Sequence, residues 1–135
     1  MKPTLIAVVA LLSLSSCAAP SPVATPVNVN VAACGAFVDV FNGLNHAQQD
    51  RNAETLTVDE WRTIMNSAGT DYAAVALTAE GDVKERINDL IDVIDANGMT
   101  AFLISGPKAD AYFAKLERVG QACPAEGYEL GFDAN

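Results

Sequence analysis

From about Asn30 onward, apolar residues recur every three or four positions for roughly one hundred residues, and that spacing commits the chain to packed helices. A stretch of this length supports one modest core. No internal repeat and no second domain interrupts it. With Asn30 as N-cap, the first helix aligns Cys34, Phe37, Val38, Phe41 and Leu44, leaving Asp39, Gly43, His46 and Asp50 on the other side. The second helix has the strongest start signal. Thr57 and Glu60 make a capping box, and Leu56 with Trp61 makes the hydrophobic staple that accompanies it. Its stripe runs through Val58, Trp61, Met65, Ala68, Tyr72, Val75, Ala76 and Ala79, with Ile64 beside it and Gly69 allowing close helix approach or a bend.

A third helix is expected from Asp82, with Asp82 as cap and Glu85 three residues later. It buries Val83, Ile87, Leu90, Ile91 and Ile94 and stops at Asn97-Gly98. Residues 99–104 read as a short buried helical turn, because a lone strand there has no partner. Ser105-Gly106-Pro107 opens the fourth helix. Tyr112, Phe113, Leu116, Val119, Gly120 and Cys123 line its inner face, and Pro124 marks its end. Phe37, Phe41, Trp61, Tyr72, Tyr112 and Phe113 all fall on inward stripes and read as core. Short links between four amphipathic helices predict an all-α, four-helix up-down bundle over 31–124, followed by an acidic tail over 125–135.

The chain before the bundle has a different composition. Lys2 precedes the apolar run Leu5-Ile6-Ala7-Val8-Val9-Ala10-Leu11-Leu12, which has signal-peptide length and is too short to span a bilayer. The following Leu14-Ser15-Ser16-Cys17 resembles the lipobox of bacterial lipoproteins, an aliphatic residue and two small ones before the cysteine. The resemblance covers only the leader. It implies removal of residues 1–16 and a diacylglycerol thioether on Cys17, with further acylation depending on the organism. Two acyl chains anchor stably where one does not. The chain is then held at a bacterial cell membrane or outer membrane with its folded part outside the cytoplasm. The competing reading is an ordinary secretory signal cleaved near Ala18 or Ala19, which Pro20 makes awkward. No twin-arginine signal is present, so export unfolded through the general secretion channel is expected. From Cys17 to residue 30 the chain holds three prolines and no charged side chain, and reads as a tether spanning about 40 Å when extended.

Export also bears on the cysteines. Three is an odd number, and lipidation of Cys17 leaves Cys34 and Cys123 as an even pair in an oxidising compartment. They stand 89 residues apart, at the start of the first helix and the end of the fourth, which an up-down bundle brings to the same end. A disulfide closing that loop is worth about 4 to 5 kcal/mol on the chain-entropy model. Two buried thiols are the alternative; a metal site would lack ligands.

Few groups suggest chemistry. His46 is the only histidine, and although Asp39 and Asp50 fall on its side of the helix, that side is the polar one. Asp95-Ala96-Asn97-Gly98 imitates the middle of an EF-hand loop, but the register puts Val93 in the first ligand position and supplies no closing glutamate. Glu85, Asp89 and Asp92 read as a solvated helix face. Phosphate-cradling glycine motifs and the G-x-S-x-G elbow are absent from the sequence. No catalytic, cofactor-binding or metal-binding residue is therefore assigned.

Charge narrows the partners. The precursor carries −9; removal of Lys2 with the leader leaves seven basic against 17 acidic side chains, or −10. Such a surface disfavours nucleic acid and anionic headgroups and is compatible with basic peptides, loosely held cations or simple solubility. Tyr128, Leu130 and Phe132 in the acidic tail either fold back on the bundle or stay available to a partner. The leading expectation is a noncatalytic envelope lipoprotein whose bundle offers a binding or structural surface, with an envelope protein as possible partner. A carrier holding a hydrophobic small molecule between the helices comes second, and would need a cavity among Trp61, Met65, Tyr72 and Phe102. A small envelope enzyme comes last.

Overall fold

Four helices form over the periodic segments: α1 (Val29–Asn52), α2 (Val58–Thr78), α3 (Gly81–Asn97) and α4 (Pro107–Ala125). The computed structural model describes residues 28–98 and 105–131. Cys17, the leader, the tether up to residue 27, the expected turn at 99–104 and Phe132 lie outside the described residues. Helices consecutive in the chain pack against each other, and α4 returns to the side of α1. There is no strand among the described residues, and no described helix is long and apolar enough to cross a membrane.

The capping box is present as expected. The Thr57 hydroxyl accepts the Glu60 N–H at 3.3 Å, and the Glu60 carboxylate accepts the Thr57 N–H at 3.0 Å. Leu56 and Trp61 both pack against the core, and Trp61 Nε1 donates to Gln48 Oε1 of α1 at 3.1 Å. At the end of α3, Gly98 takes φ 72° and caps the helix as the Asn97-Gly98 pair predicts. Gly69 sits in an unbroken α2 and marks a close approach to α3. A β-carbon there would stand 3.0 Å from Asp95 Oδ1.

Two caps differ from expectation. Helix α1 starts two residues earlier than expected, capped by Asn28, whose side chain accepts the Asn30 N–H at 3.0 Å. Asn30 is instead buried, and its Oδ1 accepts the backbone N–H of Glu80 at 2.9 Å. That N–H belongs to the N-cap residue of α3, which has no side-chain capping bond of its own, so an asparagine from α1 ties down the start of α3. Asp82 is already inside the first turn, and its carboxylate turns to Arg86 Nε at 2.7 Å. Val58 and Ile64, expected on or beside the α2 stripe, are exposed, while Trp61 and Met65 of the same turns face the core.

The core keeps most of the expected set, but Phe41, Trp61, Ile91 and Leu116 are only half-buried and Phe113 is exposed. Phe37, Met65, Tyr72, Val83, Ile87, Leu90 and Val119 are the large, fully enclosed side chains, and Ala33, Ala68 and Ala122 let the helices close on them. The Phe37 and Tyr72 rings lie 5.1 Å apart, tilted by 32°. Cys34 and Cys123 form a disulfide with Cα atoms 5.7 Å apart, joining the start of α1 to the end of α4. The phenol of Tyr72 is completely buried and close to Tyr112, yet it meets no hydrogen-bond partner among the described residues.

Helix α4 does not stop at Pro124; it runs one residue further and ends in a Schellman motif. The Tyr128 N–H bonds the Cys123 carbonyl and the Gly127 N–H bonds the Pro124 carbonyl, both at 3.0 Å. Gly127 takes φ 89°, a conformation that a side chain disfavours, and the chain reverses there.

Candidate functional site

The reversal sends the tail back along the seam between α1 and α4, which is packed far more sparsely than the junctions between consecutive helices α1–α2, α2–α3 and α3–α4. Tyr128 lies over Gly35 of α1, its ring 3.6 Å from where a β-carbon would stand. Leu130 lies over Gly120 of α4 at the same spacing. Asn42 Nδ2 donates to the Gly131 carbonyl at 3.4 Å, which fixes the strap to α1. Tyr128 and Leu130 are half-buried against the core; Glu129 and Gly131 are exposed. Of the two arrangements left open for the tail, Tyr128 and Leu130 show the one in which it folds back, while Phe132 lies outside the described residues. This was the part of the site least visible in the sequence.

Beside Leu130, the described residues leave an apolar groove along the seam. Phe41 of α1, Phe113, Leu116, Glu117, Gly120 and Gln121 of α4, and Leu130 line this groove of about 560 Å³. Phe113 is expected in the core but stands 54% exposed at this groove. Helix α4 has to serve α3 on one side and the seam on the other, and Tyr112 takes the inward position while Phe113 is turned out beside it. Their rings meet edge to face at 5.3 Å. Phe41 is likewise half-buried rather than core.

The charges of α4 are sorted between the same two sides. Lys115 bonds Asp89 of α3, and Arg118 stands 3.9 Å from the same carboxylate. The hydrogen bond and charge of Lys115 hold the Asp89 carboxyl below its ordinary value. The cations are thereby drawn toward α3. What remains at the groove is Glu117 and Gln121, and among the described residues no lysine or arginine lines it.

The residues considered for chemistry are not gathered into a site. His46, Asp39 and Asp50 are exposed on α1, and no group of three or more His, Cys, Asp or Glu side chains among the described residues could hold a metal. Glu85 and Asp92 are exposed on α3. Met65 and Tyr72, two of the four residues named for a carrier cavity, are enclosed in the core, Trp61 is half-buried, and Phe102 lies outside the described residues. Burial pushes the Tyr72 phenol far above its ordinary value and raises Tyr112 to about 12. Both phenols stay neutral at physiological pH.

The fold and the groove define a small disulfide-closed four-helix bundle with one seam partly filled by its own C-terminal strap. No family model, curated protein or solved structure matches this chain.

Proposed function

We propose that this chain is a noncatalytic binding lipoprotein of the bacterial envelope, anchored through lipid on Cys17. Its α1–α4 groove receives an apolar segment of another envelope protein, one flanked by lysine or arginine. The observation that carries the reading is Phe113, a large aromatic side chain held more than half exposed in an apolar groove while the core is enclosed without it. Glu117 in the lining, Glu129 beside Leu130 and the net charge of −9 supply the complement to a basic flank. The Lys2 start, the apolar run and Leu14-Ser15-Ser16-Cys17 support export and lipidation.

Two measurements test this function. Mass spectrometry of the mature N-terminus is expected to show a diacylated Cys17, and an unmodified chain beginning after Cys17 contradicts the anchor. Complementation of a deletion strain is expected to fail with Phe113→Asp and to succeed with Leu77→Asp, a control at an exposed leucine on α2. Both variants should keep the helical circular dichroism of the parent, since exposed substitutions are usually close to neutral for stability. Equal complementation by the two variants contradicts the groove.

A further inference from the structure

Along α4 the groove wall repeats every four residues through Phe113, Glu117 and Gln121, with Leu116 and Gly120 between them. Glu117 is the one charged side chain in that lining among the described residues. No cation of α4 is placed to neutralise it. The positions three and four residues away, where helical ion pairs form, hold Phe113, Ala114, Gly120 and Gln121. Gln121 Nε2 donates to Glu117 Oε1 at 3.3 Å, a contact that brings no charge to the carboxylate. Asp59, Asp82 and Asp89, by contrast, each meet a cation of this chain, and the basic residues nearest Glu117 in α4, Lys115 and Arg118, are turned to Asp89.

We propose that Glu117 selects the partner: its carboxylate pairs with a lysine or arginine that stands two extended residues, or one helical turn, from the apolar anchor seated on Phe113. The proposal rests on the groove being the binding site proposed above. The spacing comes from α4 itself, because four helical residues carry Glu117 about 6 Å along the axis from Phe113. Alternate residues of an extended segment share a face about 6.6 Å apart, and one turn of a helix rises about 5.4 Å, so either form presents a base at the right distance. The net charge of −9 attracts any cation, but that field is screened within about 8 to 10 Å and does not register where in a segment the base lies. Glu117 does register it. A base six extended residues from the anchor stands about 20 Å away and passes the carboxylate. An acidic residue at the matching position is repelled, so the same group rejects as well as selects.

Peptides titrated into the mature full-length chain at low ionic strength, followed by NMR, test the pair. The probes are acetyl-Phe-Ala-Lys-amide and the same peptide with Nε-acetyllysine, which keeps the length and removes the charge. The lysine peptide is expected to bind about threefold to fivefold tighter, the worth of a solvent-exposed ion pair. Glu117→Gln should bring it to the affinity of the acetylated peptide. Glu85→Gln, which removes the same charge from the exposed face of α3, should keep most of the difference. Equal affinities in the parent, or a difference that both variants reduce alike, overturns selection by Glu117 and leaves the groove standing so long as both peptides are lost with Phe113→Ser. Binding that ignores Phe113→Ser, or no binding of either peptide at millimolar concentration, refutes the groove reading itself.

Discussion

The carboxamide of Asn30, in the first turn of α1, accepts the backbone N–H of Glu80 at the start of α3, 50 residues away. The bond is 2.9 Å long and its acceptor belongs to a buried side chain. It ties α1 to the two-residue link between α2 and α3, and it satisfies a donor that a helix start would otherwise leave to water.

Asn30→Ala is therefore expected to destabilise the bundle by about 0.5 to 1.5 kcal/mol, the net worth of a hydrogen bond whose donor can turn to water. Urea unfolding followed by circular dichroism measures it. Asn28→Ala, which removes the α1 cap, should cost about 1 kcal/mol. An Asn30→Ala loss no larger than a few tenths of a kcal/mol would mean that the Glu80 N–H finds another acceptor.

Tyr72→Phe tests the opposite case. Its hydroxyl is buried with no hydrogen-bond partner among the described residues, so it carries a desolvation cost without a compensating bond. Removing it is expected to leave stability unchanged or raise it by about 1 kcal/mol, while Tyr72→Ala should cost about 3 to 5 kcal/mol through the cavity it opens beside Phe37. A destabilisation of more than about 1 kcal/mol for Tyr72→Phe would show that the hydroxyl is bonded in solution.

Acid sensitivity follows from two carboxylates. Lys115 holds Asp89 below its ordinary 3.8, and the Thr57 side chain, then its backbone, hold Glu60 below 4.5. A carboxyl whose folded pKa lies below its unfolded value stabilises the fold above the unfolded value and loses that contribution as pH falls through the folded one. Urea midpoints should hold steady above about pH 5 and fall on further acidification, and Asp89→Asn should make the fall shallower. Both groups are solvent-exposed, so the difference is small. Parallel acid limbs for parent and variant would show that the Lys115 pair contributes nothing.

The parts of this fold that were legible in the sequence are those fixed by local chemistry. Thr57, Glu60 and the Leu56–Trp61 pair lie within five residues of one another, and the caps at Gly98 and Pro107 are equally local. The Cys34–Cys123 bond was legible because the compartment expected from the leader and the expected topology pointed the same way. Asn30 was misread because either Asn28 or Asn30 can cap a helix, and only the position of Glu80 decides between them. Phe113 was misread because α4 has apolar residues on two faces, and periodicity does not say which face meets α3 and which meets the seam. The strap's reversal did have a signal, Gly127 followed by the apolar Tyr128 just past a helix end, but Pro124 concealed it by offering an earlier stop.

Photocrosslinking from inside the groove tests the central claim most directly. Benzoylphenylalanine replaces Phe113 in the lipidated protein in its native envelope, and Leu77 in a parallel control. Irradiation from position 113 is expected to give one dominant adduct, whose crosslinked peptide is apolar with lysine or arginine on its flanks, and position 77 should not give it. No adduct from position 113, the same adducts from both positions, or a crosslinked peptide with acidic flanks would contradict recognition through the α1–α4 groove.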